Sequence, residues 1–353
     1  MTAHPPPTPV APPDPEVISA AIQRLHRLAT PPGALGRLGD IAVWASGTQG
    51  AVPPPPLDHA RLVVFAGDHG VAGHDVSAFP PALTGLITRA ALSGGLVVNA
   101  LAAEQNVSVR VLDIGVDDDF TDLPNHTRQA LQEFKVRRSC EPIHLRDAMP
   151  PHDLEAALAA GTAVAQEEID AGAQLLLSGD LGIGNTTPAA ALVASGLGLP
   201  ATEVVGRGTG IDDAMLRHKV SVVQTALDRV GDDTEDPKRA LAGLGSPDLA
   251  ATTGYLLTAA RRRVPVLLDG LMSVACALTA DRIAPGAARW FAAGHRSTEP
   301  AQSLALEKMG LTPILDLDMR VGEGSGAVVA VSVVRSAITV LRDVALLDDL
   351  MAG

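Results

Sequence analysis

Aromatic side chains are scarce: five Phe, two Trp and one Tyr make up 2% of a 353-residue chain that is 46% hydrophobic. The core must therefore be built from Ala, Val, Leu and Ile, and there are few platforms for stacking nucleobases. Positive charge is also short. Lys and Arg number 27 against 40 Asp and Glu, a net charge of −13, and the only basic run is Arg261–Arg263. That balance excludes a polyanion such as nucleic acid as a partner. The two cysteines, Cys140 and Cys276, lie far apart in no metal-ligand spacing. They read as reduced thiols of a cytoplasmic protein. The best apolar run, "VPVLLDGLMSVACALTA", is broken by Asp269, so no membrane span is expected. The N-terminus lacks a basic stretch followed by an apolar one, so no secretion signal is expected.

What the chain has in abundance is proline at the start and glycine later. "MTAHPPPTPVAPPDP" holds seven prolines in fifteen residues and reads as a disordered arm over 1–14. Helical spacing follows through Ile18, Ile22, Leu25 and Leu28, with Pro15 at an allowed first-turn position. "TPPGALGRLGDIAVWASGTQG" reads as a turn and a second helix, giving a helical small-domain segment over 15–58. From 59 to 335, β-branched runs alternate with Ala-rich helices. The candidate strands are "ARLVVFAGD", "VSVRVLDIG", "AQLLLSGD", "RVPVLLDG", "AARWFAAGH" and "LTPILDL". Such alternation predicts an α/β fold, a Rossmann-like parallel sheet with helices on both faces. Residues 336–353 read as a C-terminal helix packing with the small domain. Nearly every strand ends in a polar or glycine cluster, and in open parallel sheets the ligand crevice lies outside those carboxyl ends. The six clusters should therefore converge.

The richest cluster is "SGDLGIGNTTPAAALV", residues 178–193. Strand, loop and helix follow in order, with Thr186 or Thr187 typed as N-cap and Pro188 in the first turn. Gly182 and Gly184 free backbone N–H groups to face a ligand, and a helix N-terminus favours an anion. The competing reading is a structural turn. "GRGTGIDDAMLRHK", 206–219, is a second cradle of this kind, with Lys219 a candidate phosphate cation. Glu323 stands between glycines in "RVGEGSGA", accessible as a general base requires; in isolation the commoner reading of such a residue is a loop or cap acid. Asp68, His69 and His74 suggest metal, but their spacing is not diagnostic and no metal is expected.

Together these segments resemble the nicotinate-nucleotide–dimethylbenzimidazole phosphoribosyltransferases of cobalamin nucleotide synthesis. The blocks "TPPGALGRLGDIA", "FAGDHGVAGHDVSAFP", "GDLGIGNTT", "GRGTGIDD", "LDG", "AGHRSTEPAQ" and "LDLDMRVGEGSGA" run in family order across residues 30–330. The resemblance implies a Rossmann-like domain with a small helical domain, working as a homodimer. It also implies transfer of phosphoribose from nicotinate mononucleotide to a planar base, with inversion at C1′, no cofactor, and Glu323 as base. Asp180, Gly182, Gly184, Asn185, Thr186, Gly208, Thr209, Lys219, Gly270 and Ser297 match positions around the nucleotide. Ser77, Phe79, Leu181 and Val321 would line the slot for the base. Asp180 replaces the family's usual glutamate, "PALTGLITRA" a glutamine-containing stretch, and Asp248 another glutamate. Two other readings stand beside this one. A nucleotide-binding regulatory subunit of the same fold is one, and a dinucleotide oxidoreductase, which lacks G-x-G-x-x-G after the first strand, is the other.

Overall fold

A computed structural model describes residues 8–352. Five parallel strands form the central sheet in the order β2-β1-β3-β4-β5: β1 Ala60–Gly67, β2 Val107–Gly115, β3 Leu175–Leu181, β4 Val266–Leu268 and β5 Phe291–Ala293. Every residue of β3 is buried, as expected of a strand covered on both faces. A second, two-stranded parallel sheet joins β6 His295–Arg296 to β7 Leu315–Asp316. The strand order reverses between β1 and β3, the switch point at which open α/β sheets bind ligands.

Small side chains set the packing. Helices Pro151–Asp170 and Pro247–Arg261 approach so closely that a Cβ on Gly161 would stand 1.7 Å from the Ala251 carbonyl oxygen. The shortage of aromatics is thus a condition of this core. The single tyrosine, Tyr255, meets Phe65 edge to face at 5.5 Å and donates to the Leu177 carbonyl at 3.3 Å. On the opposite sheet face, Ala21, Leu28 and Ile41 of the N-terminal helical segment share one apolar cluster with Leu62, Val64, Leu177 and Val331.

Several sequence expectations need correction. The arm is not free over its described part. Val10 is buried, its N–H donates to the Pro285 carbonyl, and the Trp290 indole donates to the Ala11 carbonyl at 2.9 Å. Positions 1–7 lie outside the described residues. The boundary at 335 falls inside one helix, Ser325–Asp343. "AARWFAAGH" opens as a 3-10 turn, Ala287–Trp290, before β5, because Gly286 enters it at φ +97°. "LTPILDL" keeps only two strand residues. Helix Thr186–Leu197 starts at Thr186, so its N-cap is Asn185; no side chain caps it, because the Asn185 amide is turned to Asp180. Two stretches, 83–104 and Ser325–Asp343, are long and apolar enough to cross a membrane by length and composition. The first is two helices, Leu83–Leu92 and Val97–Glu104, with a break between; the second packs its Val331, Val334 and Ile338 into the core.

Candidate active site

A cavity of about 430 Å³ opens at the carboxyl ends of β1, β3, β4, β5 and the β6–β7 pair. Its floor is the end of β3, the turn after it and the helix start: Asp180, Leu181, Gly182, Ile183, Gly184, Asn185 and Thr186. Gly182 is required there, since a Cβ would meet the Gly67 carbonyl oxygen at 2.3 Å, and Gly184 takes φ +84°. The Ile183 N–H is taken by the Thr84 hydroxyl at 3.1 Å, which fixes the loop from the neighbouring helix.

Gly208 and Thr209 form one wall, Gly270 and Ser297 another, and Ser77, Phe79 and Val321 stand at the mouth. The Thr209 hydroxyl accepts the Ala78 N–H at 3.1 Å and closes the gap between two walls. Phe79 and Val321 remain 49% and 47% exposed, which leaves an apolar entrance. Lys219 does not line the cavity. It is buried beneath it, donating to the Thr186 hydroxyl at 2.7 Å and the Gly206 carbonyl at 3.3 Å. Burial pushes its ammonium down to about 8, opposed by the Glu299 charge.

Glu323 lies on the cavity wall in left-handed backbone, φ +65°, between Gly322 and Gly324 at +79° and +95°. Its Oε2 accepts the Val98 N–H at 3.2 Å, at the start of helix Val97–Glu104. Burial raises its pKa above the usual glutamate value; the Val98 hydrogen bond opposes this and the Asp269 charge adds to it.

Of the six strand-end clusters, the one after β2 does not reach the cavity. Its Asp113 is tied to Lys135 and the Val116 N–H at the sheet edge. The cluster after β1 lies one layer behind the floor. Asp68 accepts the Asp117 N–H at 2.8 Å, and His69 packs against Gly182. His74 sits apart, edge to face with His144 at 4.5 Å. So the trio singled out for metal in the sequence is not assembled; His69 instead meets Asp180 and Asp248. Donor atoms of these three lie within 4.8 Å of one another, the only such metal-capable group found among the described residues. Burial and the Asp248 charge push Asp180 well above the usual aspartate range.

Sequence reasoning missed Glu299, Arg320, His295 and Met272, all of which line the cavity. Glu299 Oε1 accepts the Gly208 N–H at 2.8 Å, and Arg320 donates to the Gly208 carbonyl at 3.3 Å. The signal for Glu299 was faint: an acid just before Pro300, where a helix starts.

A family profile described as "Phosphoribosyltransferase" matches residues 10–350. A nicotinate-nucleotide–dimethylbenzimidazole phosphoribosyltransferase from Mycolicibacterium paratuberculosis is 48% identical over 336 residues, 95% of each chain. One from Corynebacterium efficiens is 45% identical over 337 residues, 96% of this chain and 89% of that one. The crystal structure of CobT from Thermus thermophilus superposes with a TM-score of 0.90 at 41% identity, covering 96% of this chain and 99% of that one.

Proposed function

The chain belongs to the nicotinate-nucleotide–dimethylbenzimidazole phosphoribosyltransferase family, and from that membership we propose that it moves the 5-phosphoribosyl group of nicotinate mononucleotide to 5,6-dimethylbenzimidazole or a related planar base. The products are α-ribazole 5′-phosphate and nicotinate, for the nucleotide loop of cobalamin.

The pyridinium at C1′ is an activated leaving group and departs as a neutral ring, so no general acid is needed. One nitrogen of the incoming base forms the new bond to C1′ as the C1′–pyridinium bond breaks. The N–H of its other nitrogen gives its proton to Glu323. Attack from the face opposite the leaving group inverts the β-glycoside to an α-riboside. The phosphate stays attached to the ribose and serves as a handle. Gly182, Gly184 and Gly208 suit it as N–H cradles, with the helix start at Thr186 and the Lys219 charge behind. Ser77, Phe79, Leu181 and Val321 suit the flat apolar base.

The observation that carries this reading is Glu323: a half-buried carboxylate of raised pKa, held by a backbone N–H on the wall shared with the anion cradle. A homodimer is part of the same proposal, with the exposed Leu86 and Val97 on helices Leu83–Leu92 and Val97–Glu104 as candidate interface residues.

The test is incubation with nicotinate mononucleotide and 5,6-dimethylbenzimidazole, with and without excess chelator. Nicotinate release and an α-configured product by NMR are expected in both. Silence with every planar base tried would favour the regulatory-subunit reading, and strict metal dependence would contradict the mechanism.

A further inference from the structure

Glu323 cannot hold its place alone. It is a non-glycine residue in left-handed backbone, a conformation that persists only where the surroundings enforce it. Its neighbour Gly324 is also left-handed, and the backbone of both presses on β3: a Cβ on Gly179 would meet the Glu323 carbonyl oxygen at 2.2 Å.

The enforcing group is buried directly beneath. Asp269, 3% exposed, follows the last residue of β4. Its Oδ2 accepts the Gly324 N–H at 3.1 Å and its Oδ1 accepts the Ala327 N–H at 3.0 Å. These are the N-cap and third residue of helix Ser325–Asp343, so one carboxylate ties the helix start to the end of a core strand. Asp269 is itself held. His295 Nε2 stands 3.4 Å from Oδ1, and the buried Gln302 amide donates to the carbonyls of both Asp269 and His295. Removing the carboxylate would leave two buried N–H groups without partners.

We infer that Asp269 is a positioning residue for the base: through the Gly324 and Ala327 N–H groups it fixes where the Glu323 carboxylate stands at the cavity wall. The inference rests on the assignment of Glu323 made above. It gives Asp269 no contact with substrate. The charged or titratable groups facing this corner are Asp269 at the end of β4, His295 from β6 and, farther off, Asp180 from β3. Of these, Asp269 adds to the raised pKa of Glu323.

Asp269→Asn tests it. Displacing a reacting group by about 1 Å can cost about 10²-fold in rate. The expected result is a kcat lowered by about 10- to 10²-fold, with the KM for nicotinate mononucleotide unchanged. With the Asp269 charge gone, the acid limb of the rate profile should move to lower pH. In a Glu323→Gln background, Asp269→Asn should slow transfer no further. Asp269→Glu keeps the charge but shifts the anchor; it should slow kcat without moving the acid limb, and it serves if the amide variant does not fold. Wild-type kcat in both variants, or a slowing that simply multiplies with that of Glu323→Gln, would overturn the inference. Slow Glu323→Gln with normal Asp269 variants sinks only the anchor. A normal rate in Glu323→Gln sinks the base assignment and the anchor with it.

Discussion

Single charges decide the behaviour of this site because each is buried against a specific counterweight. Lys219 is the clearest case. It lies under the glycine cradle and donates to the Thr186 hydroxyl at the helix start, and burial holds it near 8 rather than at the ordinary lysine value. In the proposed reaction its charge would support an anion at the cradle below that pH, and the support would be lost above it. The KM for nicotinate mononucleotide should therefore rise as pH passes about 8. Lys219→Met removes the charge behind the cradle and the bond that holds the Thr186 hydroxyl; it should raise that KM by about tenfold at pH 7 and should abolish the rise. A KM flat from neutral to alkaline pH in the unaltered protein would remove Lys219 from this role. In the sequence Lys219 was visible only because it followed a glycine-rich loop. Asp269 was in plain view yet read as no more than a break in an apolar run, since its partners Gly324 and Ala327 lie 55 and 58 residues away.

At the scale of elements, legibility followed the length of the buried run. "ARLVVFAGD", "VSVRVLDIG" and "AQLLLSGD" are long, β-branched or Leu-rich, and became β1, β2 and β3. "RVPVLLDG" yielded three strand residues, because Asp269 and Gly270 turn at once into the next helix. "AARWFAAGH" and "LTPILDL" look alike as short apolar runs, and runs this short carry too little periodicity to separate an extended segment from a coiled one. The N-cap was misplaced for a related reason. Thr186 and Thr187 are the right residue types, but the helix begins at Thr186, with Thr187 buried inside its first turn. The glycine-rich turns were visible in the sequence and do line the cavity, but the crowding that requires Gly182 comes from Gly67 and His69, far off in the chain. The trio His69, Asp180 and Asp248 was not legible, since a loop, a strand end and a helix start far apart in the chain bring it together.

For the whole molecule, alternation of strand and helix pointed to a parallel sheet but not to the order β2-β1-β3-β4-β5, which depends on long-range pairing. That order matters, because it sets the switch point beside β1 and β3, where the cavity opens. The N-terminal segment shows how composition alone misleads. Proline richness implied a free arm, yet Val10 and Ala11 seal the corner formed by Pro285 and Trp290. Removing residues 1–14 should lower Tm, with a loss of about 1–3 kcal/mol from the exposed apolar surface. It should also shift Trp emission to the red, since Trp290 is one of only two tryptophans and is 3% exposed. Unchanged Tm and emission would show that the packing of this segment adds nothing to stability.

In the proposed reaction the carboxylate of Glu323 takes the proton from the attacking base. The most direct measurement is single-turnover release of nicotinate by Glu323→Gln at saturating substrates, with the Kd of each substrate measured alongside. Unchanged Kd values and transfer slowed by about 10²- to 10⁴-fold are expected. Transfer within a few-fold of the unaltered protein would contradict that role of Glu323.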